Sequence, residues 1–270
     1  MQDVVIRDEP FVVADGHEDF WSRVREGRWE PATLDVIAAC VGPGTAVVDL
    51  GAWIGPTVLY AARKGRSVLA FEPDPAAAAV LRENVALNPD VAERIEILER
   101  AVWTRAGAMT MASRGRPGDS MSSLVHRSGA VTWEVECMTP DEIAARLEPD
   151  APLFVKVDIE GGEFAVVPAL GPLLDRPRVD CLVSFHPGFV AGGHPRWHRT
   201  IPMTRRVFDA FPGFGTLHVG RRAVTAMPLV GLMRRLGAFA WETRESVLFS
   251  RPARPVAAFA PRGEGTRPAA

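Results

Sequence analysis

VVDLGAWIGPTVLYAA, residues 47–62, decides the fold. An apolar run too short for a helix feeds into glycines at Gly51 and Gly55, and a helical pattern starts immediately after them. The pattern reads as strand, tight turn and helix N-terminus. At such a turn the missing side chains expose backbone amides, and the helix end adds a favourable field for a polar ligand group.

Outward from this stretch, the next apolar run, SVLAFEP, ends in an acid, Glu72. An acid about twenty residues beyond the turn is placed to accept hydrogen bonds from the hydroxyls of an adenosine ribose. The dinucleotide spacing GxGxxG fails, because Trp53 and Pro56 stand where glycines are required. The Lys and Ser/Thr of a phosphate-binding Walker loop are absent as well. A nucleoside without phosphates fits better, and a dinucleotide oxidoreductase is disfavoured.

Further strands are expected at Ala46 to Leu50, Val68 to Phe71, Arg94 to Val102, Leu153 to Asp158 and Val179 to His186, with weaker candidates at Leu217 to Val224 and Ser246 to Phe249. Between the first of these lie helical patterns, notably AAAAVLRENVALN from Ala76 to Asn88. Continuous apolar strands alternating with helices predict an α/β fold, a mostly parallel central sheet with helices on both faces. Helices are also expected at Asp19 to Glu26 and Ala32 to Cys40, so residues 1–44 read as an N-terminal helical extension. Residues 45–250 read as the main domain, with a lid-like insertion at 103–152 that contains the polar loop RGRPGDSMSS. The Pro-, Arg-, Ala- and Gly-rich residues 251–270 read as a flexible tail.

Composition narrows the class. In 270 residues, 47% are hydrophobic, enough for a sizeable core. A net charge of −2 gives no global pull toward nucleic acid or an anionic membrane, so a small-molecule partner is expected. Cys40, Cys137 and Cys181 lie far apart, without the spacing of a disulfide framework or zinc knuckle. Acids stand where a signal peptide requires a basic region, and no apolar run is long enough for a membrane span, which points to a cytoplasmic protein. The segment MPLVGLMRRLGAF, 227–239, is either a homodimer face or a core-packed helix.

The segment KVDIEGGE gathers Lys156, Asp158, Glu160 and Glu163 beside two glycines. If the strand stays extended, alternation puts Lys156, Asp158 and Glu160 on one side. Two readings stand: a hydrogen-bonded ionic network, or oxygen ligands for a divalent metal, for which no further acid at short spacing completes the set. His186, ending the fifth strand, is the general-base candidate, its ordinary pKa being near about 6.5. A histidine that merely caps the strand is the rival reading. His194 and His198 are candidate companions of His186, and Arg196, Arg199, Arg205 and Arg206 form a local positive field. Glu30, at an irregular junction, is either a solvated or capping acid or a ligand contact, and Trp21 and Trp29 are read as packing residues.

VVDLGAWIG, FEPDP, AVW, SMSSLV and LFVKVDIEGGEF together resemble the FkbM family of S-adenosylmethionine-dependent methyltransferases, a class I Rossmann-like group. The resemblance spans Trp29 to His186. It implies S-adenosyl-L-methionine as cofactor, held by Asp49, Gly51, Ala52, Gly55 and Thr57 of the loop, with Glu72 and Pro73 at the ribose. Glu99, Ala101 and Val102 would then lie near adenine, Glu30 and Asp158 would complete the cofactor contacts, and Asp158, Glu160 and His186 would serve catalysis. It further implies O-methylation of a hydroxyl on a small natural-product or sugar-containing acceptor. N-methylation, or an inactive cofactor-binding or partner protein of the same fold, are the alternatives. Trp53 departs from the small or amide side chain usual in the family; it either points away from the cofactor or narrows its access.

Overall fold

A computed structural model describes the chain apart from residues 114–117, 119–121, 126–130, 191–196, 228–230, 232–244 and 260–270, and apart from the side chains of 197–199. The chain opens with a hairpin, β1 (Gln2–Ile6) and β2 (Glu9–Val13), then helices α1 (Glu18–Arg25) and α2 (Pro31–Cys40). Residues 1–44 are therefore not purely helical. The hairpin alternates, Val4, Ile6, Phe11 and Val13 facing the core, and buried Asn88 and Asn84 tie its backbone at Val12 and Ala14 to the main domain.

The Rossmann-like part runs β3 (Ala46–Leu50), α3 (Pro56–Lys64), β4 (Ser67–Phe71), α4 (Pro75–Ala86), α5 (Pro89–Ala92) and β5 (Ile95–Leu98). The insertion contributes β6 (Ala101–Val102), β7 (Gly107–Ser113), β8 (Val131–Met138) and α6 (Pro140–Ala144). There follow β9 (Leu153–Val157), α7 (Glu163–Val166), α8 (Gly171–Leu174), β10 (Val179–Phe185), α9 (Pro187–Val190) and α10 (Trp197–Asp209). Three strands, β11 (Gly215–Val219), β12 (Val224–Thr225) and β13 (Glu245–Arg251), follow, and a 3-10 turn, Val256–Phe259, is the last described element.

The central sheet is ordered β12-β11-β13-β10-β9-β3-β4-β5. From β10 to β5 all pairings are parallel, while β13, β11 and β12 add an antiparallel edge. Both faces are buried, as the period of two shows. Val47, Phe154 and Leu182 join the core with α2, α3 and the hairpin, whereas Val48, Val155 and Val183 join the core with α7, α8 and α10.

The expected third strand is two. Leu98 ends β5, a turn closed by Arg100 N–H donating to Leu98 O (2.8 Å) follows, and Ala101–Val102 pairs instead with β8 in a separate sheet β6-β8-β7. The chain after β13 is no loose tail through residue 259. Arg254 grips Asp180 in a two-pronged pair (2.9 and 2.7 Å), and Phe259 is buried. Of residues 227–239, nearly all lie outside the described residues, as do His194, Arg196 and the side chains of His198 and Arg199. Arg205 and Arg206 are exposed on α10.

Candidate active site

At the C-terminal ends of the parallel strands lies a cavity of about 270 Å³, where ligands of open α/β sheets bind. Its floor is the turn after β3. Gly51 has φ +87°, and a Cβ there would stand 2.0 Å from the carbonyl oxygen of Asp158, so only glycine lets the ends of β3 and β9 meet. Beneath the turn Asp49 and Lys156, partners across β3 and β9, are bonded Nζ to Oδ1 at 3.1 Å. Lys156 Nζ also donates to Gly51 O (3.2 Å), and Thr57 Oγ1 donates to Asp49 Oδ2 (2.5 Å). Burial pushes the Asp49 carboxyl up against the pull of Lys156 and Thr57; Lys156, despite burial, is held charged by Asp49 and Asp158. Asp49 supports the loop from behind and does not reach the cavity wall, contrary to its expected place among the cofactor contacts. Gly55, before the first turn of α3, lies off the wall too.

Glu72 sits on the wall at the end of β4, 6% exposed. Its Oε2 accepts the backbone N–H of Trp53 (2.7 Å), and its Oε1 that of Asp74 (2.8 Å). Burial pushes its pKa up to about 7 although both amides favour the ionised form. Each oxygen keeps a lone pair for a further donor. That pair of acceptors fits the paired hydroxyls of a ribose.

Trp53, with φ +48°, lines the cavity; its indole meets Phe20 edge-on at 4.6 Å, and its Nε1–H donates to the carbonyl of Gly118 (3.0 Å). Asp74, the N-cap of α4, accepts the Gly118 N–H at 2.7 Å and the Ser122 hydroxyl at 3.2 Å. The insertion is thereby fastened over the cavity, and Met111, Ser122 and Leu124 become part of its wall.

Of the residues expected at the site, Glu30, Gly51, Ala52, Thr57, Glu72, Pro73, Ala101, Val102, Asp158 and Glu160 line the cavity. Glu99 does not. Its carboxylate turns outward to pair with Arg82 of α4 (2.5 Å), and Arg100 takes the place on the wall. Trp29 lines the cavity edge-on to Phe20 at 5.2 Å, whereas Trp21 is core. Met111 carries no signal in the sequence, and Asp74, Trp103, Ser122 and Leu124 stand in it only within FEPDP, AVW and SMSSLV, without a role of their own. For Asp74 a signal existed, an Asp before the N1 proline of a helix; the others reach the wall only by the return of the insertion.

Asp158, Glu160, Glu163 and His186 form one group behind the cavity. The strand ends at Val157 and Glu160 has φ +47°, so the expected extended alternation stops, and the turn swings Glu160 toward β10. His186 Nε2 lies 3.4 Å from Asp158 Oδ1 and 3.7 Å from Glu160 Oε1, and Nδ1 lies 3.5 Å from Glu163 Oε1. Burial alone favours a neutral ring, but Glu160, Glu163 and Asp158 outweigh it and push its pKa up to about 10. Carrying a proton at neutral pH and set back from the cavity wall, His186 does not fit the base role read from the sequence. Asp158, its side chain 22% exposed, and Glu160 are the members that reach the wall.

Residues 49–209 match the methyltransferase FkbM domain. No curated protein matches the chain closely enough to be counted a relative. Among solved structures, methyltransferase FkbM from Methylobacillus flagellatus is 16% identical, with a TM-score of 0.47 over 76% of this chain and 43% of that one. An O-methyltransferase from Bacillus cereus in complex with SAH is 12% identical, TM-score 0.43, over 81% of this chain and 79% of that one. This chain thus spans less than half the length of the Methylobacillus protein. With the domain match covering more than half of the residues, the chain belongs to the FkbM methyltransferase family.

Proposed function

We propose that the protein is an S-adenosylmethionine-dependent O-methyltransferase acting on a hydroxyl of a small natural-product or sugar-containing acceptor. The observation that carries this reading is a cavity that joins a buried carboxylate with spare acceptor capacity, Glu72, to a second carboxylate, Asp158, on the opposite side of the glycine turn. S-adenosylmethionine, when bound, supplies a methyl group that leaves sulfur and bonds to the acceptor oxygen. Glu72 accepts hydrogen bonds from the ribose hydroxyls, Gly51 and Ala52 offer backbone, and Ala101 and Val102 offer an apolar surface.

At the other end Asp158 orients the acceptor hydroxyl and takes its proton at Oδ2, the oxygen 3.6 Å from Lys156 Nζ. Lys156 stabilises the ionised carboxylate between proton transfers. Leu124, Met111 and Trp103 on the wall exclude water, which strengthens these charge interactions. Calorimetric titration with S-adenosylhomocysteine tests the cofactor: micromolar binding supports the reading, and no binding to folded protein sinks it. Once an acceptor is found, Asp158→Asn should slow turnover by about 10²-fold or more while changing S-adenosylhomocysteine affinity less than about threefold.

A further inference from the structure

We propose that Asp158, Glu160 and His186 form a binding site for one divalent cation of the Mn²⁺ or Mg²⁺ class at the acceptor end of the cavity. One ligand atom from each lies within 4.8 Å of the others. Octahedral ligands at manganese or magnesium distances stand about 3 Å apart in cis positions. The Nε2 separations of 3.4 Å to Asp158 Oδ1 and 3.7 Å to Glu160 Oε1 therefore need a closure of only a few tenths of an ångström. Two carboxylate oxygens with one imidazole nitrogen are a donor set for such ions.

His186 is the independent sign of a ligand. It is 6% exposed, its Nδ1 lies 3.5 Å from Glu163 Oε1, and its Nε2 is directed between two carboxylates at separations longer than the N–H···O range of about 2.7–3.2 Å. Glu163, fully buried, is placed as an outer support: its Oε1 accepts the backbone N–H of His186 (2.5 Å) and faces Nδ1, and its Oε2 accepts the N–H of Gly161 (2.8 Å). A carboxylate behind Nδ1 keeps one ring proton on that nitrogen, and the cation takes the place of the second proton, on Nε2, which is released to solvent on binding. Asp158 and Glu160 line the cavity, so the remaining coordination positions open toward the acceptor and select one with a ligating oxygen. Asp158 coordinates through Oδ1 alone, leaving Oδ2 for the acceptor's proton.

The inference rests on the methyltransferase reading only for the acceptor's role; cation binding is tested without turnover. Mn²⁺ is titrated into the full chain, stripped with chelator, and free Mn²⁺ is read by EPR. One ion per chain, with nitrogen couplings in pulsed EPR, is expected. The affinity should fall at least about tenfold in both His186→Ala and Glu160→Gln, with the nitrogen couplings gone in His186→Ala. Should His186→Ala fail to fold by circular dichroism, Asp158→Asn, at a partly exposed position, takes its place and should show the same loss of affinity. No binding up to about 5 mM Mn²⁺, binding without nitrogen couplings, or affinity unchanged in the variants overturns the site. S-adenosylhomocysteine titration of the same metal-free sample keeps the two proposals apart, since cofactor binding without Mn²⁺ binding refutes only the cation.

Discussion

Glu72→Gln is the substitution that separates the cost of the site from its use. Ionised Glu72 is buried, and its pKa is raised from 4.5 to about 7. A raised carboxyl pKa means that the folded chain binds the proton more tightly than the unfolded one, so stability falls as pH rises from the unfolded value through the folded one. Between about pH 5 and about pH 8 this single group removes about 2–3 kcal/mol of folding stability. The glutamine side chain cannot ionise and lacks that pH dependence, while it satisfies only one of the two amides at Trp53 and Asp74, which costs about 1–3 kcal/mol at every pH.

The wild-type protein is therefore expected to be the more stable of the two at about pH 5, with its advantage shrinking by about 2–3 kcal/mol by about pH 8. Urea unfolding at both pH values measures it, and subtraction of the two proteins cancels the other titrating groups. In the same pair, S-adenosylhomocysteine affinity of the wild type rises over this range as the carboxylate ionises, and that of the variant stays flat and weaker by about 1–3 kcal/mol. A stability difference independent of pH would refute the raised pKa. Equal affinities would refute the ribose role, whatever the stability data show.

Other substitutions test the supports of the site. Gly51→Ala should destabilise by more than about 3 kcal/mol and weaken cofactor binding, because its Cβ meets the Asp158 carbonyl at a left-handed backbone position; thermal unfolding with ligand titration checks both. Asn84→Ala strands the buried N–H of Ala14 and carbonyl of Ile54, each bonded at 2.8 Å, and should cost about 2–4 kcal/mol in urea unfolding. Arg254→Ala leaves Asp180 buried and unpaired and should cost about 2 kcal/mol; an unchanged midpoint would mean that the chain beyond β13 carries no stability.

Much of the half of the cavity around the glycine turn is written locally. Gly51, Glu72 and Pro73 are fixed by their positions at the ends of β3 and β4, and the period of the apolar residues reveals those ends. Glu99 fails because one turn after Leu98 decides whether a side chain faces the cavity or Arg82, and no period encodes such a turn. Asp49 lies off the cavity wall for a related reason: a strand-end acid looks alike whether it meets a ligand or a lysine from another strand. His186 was legible as a strand-end histidine, but its charge state depends on three carboxylates, one of which, Glu160, arrives only through a left-handed turn.

By itself the sequence determined the alternation of buried strands and helices, the glycine turn, the acid after the second strand and the family motifs, because each depends on residues within a few positions of one another. Tertiary structure decided which of those residues reach the cavity. The insertion is latched to the glycine turn through Trp53, Gly118 and Asp74, and the acids after β9 converge on His186 from β10, contacts between segments 23 to 65 residues apart. Such contacts are selected by the packing of the whole sheet, and local propensity carries no record of them.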